Sequence, residues 1–212
     1  MMLIGMFDSP FVRPVAISLK LLDIPFEHAD WSVGKDFDRI RKYNPLGRVP
    51  TLVLDDGEAL METFAILDYI NERAGDERAL LPRSGRTRRS ALHLMSIANG
   101  AADKAREQLY ERAFRPAEKR HEPWTERCRS QMHGALAELE RAAAHTRGGA
   151  WLVGERMTQA DVTVSCVFTF ANDALPATFT GSSYPALRAL AERCEALPEF
   201  RSTRLAFVPP AP

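Results

Sequence analysis

The stretch Asn44-Pro45-Leu46-Gly47-Arg48-Val49-Pro50-Thr51-Leu52 sets a Val49-Pro50 step where a loop turns into a strand. Proline cannot donate to a sheet ladder, so it belongs at a strand's first residue or on an edge, and X-Pro bonds are the ones that become cis. With a cis bond there, the N–H and C=O of Val49 point outward, unused by the fold. Unpaired main-chain groups beside an edge strand are a place for a short peptide to pair. The first expectation about function is therefore a small peptide-like ligand.

Around this corner, short apolar runs alternate with helical patterns up to about residue 75. Leu3 to Phe7 reads as a strand, and Val12, Val15, Ala16, Leu19 and Leu22 recur as one helix face. Phe26 to Ala29 reads as a second strand and Thr51 to Leu54 as a third. Asp55-Asp56-Gly57 is a turn signal that joins the third to a fourth, Glu58 to Met61, as a hairpin. A helix follows with Thr63 as N-cap, Ile66, Leu67 and Ile70 on one face, and Gly75 as C-cap. The order β-α-β then β-β-α predicts a mixed sheet with helices packed on it and a right-handed crossover, a thioredoxin-like arrangement.

Residues 76–86 mix charges with Pro82 and Gly85 and read as a linker. Beyond them the strand signal nearly vanishes. Thr87 to Phe114 and Trp124 to His145 have long helical periodicity, and Pro185 to Leu197 followed by Glu199 to Leu205 reads as one or two further amphipathic helices before a proline-containing tail. Thr158-Gln159-Ala160-Asp161 has capping-box spacing and opens the apolar run Val162 to Phe170, expected to be the centre of the second domain. The expected organisation is thus 1–75 thioredoxin-like, 76–86 linker and 87–212 all-helical.

Bulk properties mainly exclude. The 212 residues are 45% apolar and 26% charged, with 28 Lys plus Arg against 28 Asp plus Glu. That is a soluble globular composition, and its neutrality steers it neither to nucleic acid nor to an anionic membrane. The run Met1 to Phe7 is too short for a signal h-region, and no segment approaches the roughly 18 apolar residues of a membrane span. Cys128, Cys166 and Cys194 are far apart and form no CxxC, which suits buried free thiols in a reducing cytoplasm and suggests no metal site.

Four motifs in order, Ser9-Pro10-Phe11-Val12-Arg13, Asn44-Pro45-x-Gly47-x-Val49-Pro50-x-Leu52, Glu62-Thr63 and Thr158-x-x-Asp161, make the chain resemble a cytosolic glutathione transferase along essentially its full length. The resemblance implies a glutathione-binding thioredoxin-like domain, a helical domain that supplies much of the electrophile pocket, and a homodimer. Glutathione enters as cosubstrate, with no permanently bound cofactor. Val49-Pro50 becomes the corner that meets the cysteinyl backbone of glutathione.

Ser9 has two readings. As a residue between strand and helix, its hydroxyl caps the helix, with Pro10 at the first helical position. The resemblance makes it the catalytic serine, which donates to the glutathione sulfur with help from the helix dipole. A free thiol has a pKa of about 8.5, so roughly 2 kcal/mol of anion stabilisation leaves about half of the sulfur as thiolate at pH 7. Glu62 and Thr63 open the next helix, where an anion is favoured. The resemblance assigns them the γ-glutamyl end, the Glu62 carboxylate to the ammonium and Thr63 to the carboxylate. Arg48 or Lys35 is the cation for the glycine carboxylate, and Arg suits it better by its planar fork. Asp103 reads as a solvated helix-face acid. Pro14 predicts a slight kink in the first helix.

The electrophile pocket is expected between Phe11 and the long helix, with Asn99 and Arg106 sharing one face and Tyr110 farther on. The leading expectation is a glutathione transferase acting on a small hydrophobic electrophile. Two alternatives are a catalytically silent interaction or regulatory protein of the same fold, and a glutathione-dependent isomerase of the maleylacetoacetate type. The isomerase usually carries Ser-Ser-Cys at the catalytic turn, where this chain has Asp8-Ser9-Pro10-Phe11.

Overall fold

The computed structural model describes residues 1–146, 151–179 and 183–209; the tail prolines Pro210 and Pro212 lie outside them. The amino-terminal part runs β1 (Met2–Ile4), α1 (Arg13–Leu21), β2 (Glu27–Ala29), α2 (Phe37–Ile40), β3 (Thr51–Val53), β4 (Ala59–Met61) and α3 (Thr63–Ala74). The sheet order is β2-β1-β3-β4, with β1 parallel to β2 and antiparallel to β3, and β3 antiparallel to β4. Strand alternation sorts the two faces. Leu3 and Leu52, paired in register, are buried with Val12, Val15, Ile66 and Ile70 of α1 and α3, whereas Ile4 and Ala29 face the other way onto Ile40 of α2.

The expected strands and α1 and α3 are present, with shorter strands. The first ends at Ile4 rather than Phe7 because Gly5 (φ 127°) turns the chain between Val12 and Val49. A Cβ at Gly5 would meet Val12 Cγ2 at 2.6 Å and Val49 Cβ at 2.8 Å, so the approach requires glycine. The four-residue helix α2 has too few turns to leave a periodic signal. Pro14 does not kink α1: the helix begins at Arg13, so Pro14 sits in the first turn, where its missing N–H has no intrahelical partner to lose. The N-cap of α3 is Glu62, one position earlier than expected, and Thr63 is its first helical residue; Gly75 caps the end (φ 76°).

The remainder is helical: α4 (Gly85–Ala113), α5 (Glu122–Ala144), α6 (Gln159–Ala174), α7 (Pro185–Glu195) and α8 (Pro198–Arg201), with 3-10 turns at Ala117–Lys119 and Pro176–Thr178. Helix α6 is the centre, with Ala160, Val162, Val164 and Val167 fully buried. Its capping box forms as the spacing predicts. The Asp161 carboxylate accepts from Thr158 N–H (2.8 Å), the Thr158 hydroxyl (2.9 Å) and Leu152 N–H (2.7 Å). Burial pushes its carboxyl above the usual range, against the pull of those donors.

Polar side chains tie the two parts together. The Ser18 hydroxyl of α1 donates to Pro14 C=O (2.7 Å) and accepts from Gln159 Nε2 of α6 (2.9 Å). Arg13 makes a bidentate pair with Glu195 of α7 (2.7 and 2.6 Å) and also donates to Phe200 C=O (3.0 Å). Burial works against the guanidinium charge, and the Glu195 carboxylate outweighs it, raising the Arg13 pKa.

Candidate active site

The Val49-Pro50 bond is cis, and Pro50 stands immediately before β3. Contrary to the sequence expectation, β3 is an inner strand and no edge. The Val49 main chain is nevertheless open, because both ladders of β3 stop at Thr51, paired to Ile4 on one side and Met61 on the other. Among the described residues no hydrogen bond engages the Val49 N–H or C=O. The corner is braced from behind: Asn44 Nδ2 donates to Arg48 C=O (2.9 Å) and to Thr51 Oγ1 (3.1 Å).

Val49 opens onto a cleft of about 760 Å³, its mouth included. One wall comes from the β1–α1 loop with Asp8, Ser9 and Phe11, the segment after β2 with Trp31, and the corner with Arg48. The opposite wall is Arg106, Leu109 and Tyr110 of α4, Phe170 of α6, and Phe207 and Val208 of the tail. Phe207 packs edge-on against Phe170 with centroids 5.6 Å apart, and Val208 N–H donates to Asp8 Oδ2 (3.3 Å). Burial, opposed by that hydrogen bond and helped by the charge of Asp30, leaves the Asp8 carboxyl above the usual range.

Ser9 lies in the cleft but does not cap α1, which starts a turn later with Val12 as N-cap. Its Oγ instead accepts from the N–H groups of Phe11 (3.3 Å) and Val12 (3.4 Å), while its C=O accepts from Arg13 N–H (3.1 Å). The hydroxyl proton has no acceptor among the described residues, and two donors polarise the oxygen that carries it. This arrangement can donate a hydrogen bond to an anion in the cleft.

Glu62 and Thr63 lie outside the cleft's lining and join it through neighbours. The Thr63 hydroxyl donates to Phe11 C=O (3.1 Å), tying the start of α3 to the Ser9 loop, and the Thr63 N–H, first in its helix, has no intrahelical partner. Glu62 is held at φ 67°, ψ 137°, a conformation costly to a non-glycine residue, and its carboxylate sits 3.3 Å from Arg48 Nη1. Both members are about half exposed, so the pair is weak and easily exchanged for a charged ligand.

Of the residues expected in the acceptor pocket, Phe11 and Arg106 line the cleft and their side chains meet, with the guanidinium 5.5 Å from the ring centroid. Asn99 does not line it. Seven residues on one helix share a face but lie about 10.5 Å apart along the axis, and Asn99 falls beyond the cleft's end. Asp103 is paired with Arg106 (3.1 Å) instead of standing alone in solvent. Lys35 occupies an exposed turn away from the lining, which leaves Arg48 as the cation of that wall. Trp31, Phe170 and Phe207 escaped the sequence reading, because each comes from a different segment with no shared motif.

The three cysteines are buried and unpaired, and burial pushes the Cys194 and Cys166 thiols up to about 11 and about 12. Neither is suited to act as a nucleophile at neutral pH. Among the described residues, no group of three or more His, Cys, Asp or Glu could hold a metal ion, and no helix is long and apolar enough to cross a membrane.

This fold, with a serine and an open main-chain corner side by side on one wall of a cleft, defines a class of protein. The family models for the glutathione S-transferase N-terminal and C-terminal domains match residues 3–78 and 122–193. An uncharacterized GST-like protein of Escherichia coli K12, YibF, is 32% identical over 140 residues, 66% of this chain and 68% of that one. The glutathione S-transferase of Methylobacterium radiotolerans in complex with glutathione sulfonate superposes with a TM-score of 0.88 at 27% identity, over 98% of this chain and 97% of that one. A Pseudomonas fluorescens family member with bound glutathione gives 0.81 at 28% identity, over 96% and 98%. The chain belongs to the glutathione S-transferase family.

Proposed function

We propose that the chain binds glutathione across Ser9, the Val49 corner and the start of α3, and transfers its sulfur to a small hydrophobic electrophile. The observation that carries this is the pairing, in one cleft, of a serine with an uncommitted hydroxyl proton and an unpaired Val49 main chain. In this reading the Val49 N–H and C=O pair with the cysteinyl unit, which sets the sulfur at Ser9. Thr63 takes the γ-glutamyl carboxylate on its free N–H, and Glu62 takes the ammonium after releasing Arg48, which turns to the glycine carboxylate. Glutathione sulfonate bound in one solved relative and glutathione in another support the ligand assignment.

The chemical step follows from charge. The thiol releases its proton to solvent, Ser9 donates to the resulting thiolate, and sulfur attacks the electrophilic carbon while the leaving group departs with its bonding pair. The dipole of α1 contributes less than the sequence reading supposed, because the helix starts at Arg13, a turn beyond Ser9. The same reading takes residues 1–75 and 87–212 as the two domains and the protein as a cytoplasmic homodimer. Calorimetric titration with glutathione tests it: saturable binding is expected, and none up to millimolar concentration sinks it.

A further inference from the structure

Two guanidiniums, Arg48 and Arg106, face the cleft from opposite walls, and both charges act on the phenol of Tyr110 between them. Burial raises the Tyr110 pKa against those charges, so the phenol stays a protonated donor at neutral pH. Arg106 stands between aromatic rings, 5.5 Å from the Phe11 centroid and 5.8 Å from that of Tyr110, with its side chain 22% exposed. Asp103 (3.1 Å) and Glu107 (3.3 Å) both bind the same atom, Nη2.

The consequence is a guanidinium oriented by two carboxylates that still has donor nitrogens to offer. Its Nη1 and Nε have no acceptor among the described residues, and neither is among the buried polar atoms left without a partner, so both remain open. A fixed pair of charge-assisted donors beside aromatic surface suits a planar ligand with an anionic end. Asp8 is the acid among the lining residues, and its carboxylate is tied to Val208 N–H.

We propose that the acceptor substrate is an aromatic electrophile bearing a carboxylate, which the free N–H groups of Arg106 hold while Phe11, Trp31 and Phe170 cover its ring. This rests on the glutathione reading above. For a chloro-nitrobenzoate the balance is simple: the thiol proton goes to solvent, the C–S bond forms, the C–Cl bond breaks, and chloride leaves with the bonding pair.

The test titrates glutathione-saturated protein with unreactive 3,5-dinitrobenzoate and with 3,5-dinitrobenzamide. It is paired with initial rates for 4-chloro-3,5-dinitrobenzoate against its methyl ester, each corrected for the uncatalysed rate. The acid should bind about tenfold more tightly than the amide, the scale of a charge-assisted contact, and should show the lower KM. Arg106→Gln should erase that preference, Arg106→Lys should restore part of it, and glutathione affinity should stay within about threefold. Equal binding of acid and amide, or a preference that survives Arg106→Gln, overturns the proposal. So does a tenfold loss of glutathione affinity in that variant, which would assign Arg106 to the cosubstrate. If glutathione itself fails to bind, the transferase reading falls, and titration without it still judges the acid preference.

Discussion

Replacing Arg13 by Met tests how the two parts of the molecule hold the site. The side chain is 5% exposed and delivers two hydrogen bonds to Glu195 and one to Phe200 C=O. Methionine fills much of the volume but strands the Glu195 carboxylate, which is 23% exposed and keeps a bond from the Thr169 hydroxyl (3.1 Å). Breaking a buried pair from one side costs about 3–5 kcal/mol, and the partial exposure of Glu195 places this case near the lower figure. For a chain of this size about 3 kcal/mol lowers Tm by roughly 6–12 °C. Urea melts at one fixed protein concentration measure the loss, since association would otherwise shift the midpoint. Arg13→Met/Glu195→Leu removes both charges and should recover most of the loss, as buried pairs replaced by apolar groups often do. The main-chain N–H of Arg13, which donates to Ser9 C=O, survives the substitution, so the serine loop keeps that bond and the variant reports on the side-chain pair. A single variant within about 1 kcal/mol of the parent, or a double variant less stable than the single, would refute the reasoning.

Three further outcomes are expected. Ser9→Ala should leave glutathione affinity within a few fold yet return the bound thiol to a pKa near its free value of about 8.5, read by thiolate absorbance against pH; an unchanged titration removes Ser9 from the mechanism. Glu62→Gly relieves a strained φ worth on the order of 1–3 kcal/mol while deleting the carboxylate, so stability should hold or rise as glutathione affinity falls. A fall in both would mean that Glu62 braces the fold through Arg48. For Asp8 the sign is that of a carboxyl whose folded pKa is raised: its charge opposes folding above that pKa, and the penalty fades as pH falls toward the unfolded value of 3.8. Asp8→Asn should therefore stabilise at pH 7 and make little difference below pH 3.8, and a destabilised variant at pH 7 contradicts this.

What the sequence disclosed was local. The Val49-Pro50 corner, the Asp55-Gly57 hairpin and the Thr158-Asp161 capping box each sit within a few residues, where proline, glycine and cap chemistry act directly. The exact partners of those residues were less accessible. Ser9 engages its own loop rather than the helix, because a turn not visible in the pattern separates it from Arg13. The pair Arg13–Glu195 joins residues 182 apart, and Phe207 reaches the cleft from the far end of the chain, so no periodicity marks either. Asn99 and Arg106 share a helix face, yet a face is not a depth, and only one of them reaches the cleft.

Gly5 has the widest consequence. Because the backbone there touches Val12 and Val49 with no side chain between, the loop bearing Ser9 and the peptide-pairing corner share one rigid mount. Neither can drift without pushing the other, so under the proposed function the spacing between the sulfur and the central amide is set by backbone contact. The far wall has no such lock. Leu109, Phe170 and Phe207 line it through side-chain packing alone, and with the first two buried, redesign of acceptor range there calls for exchanges that conserve volume.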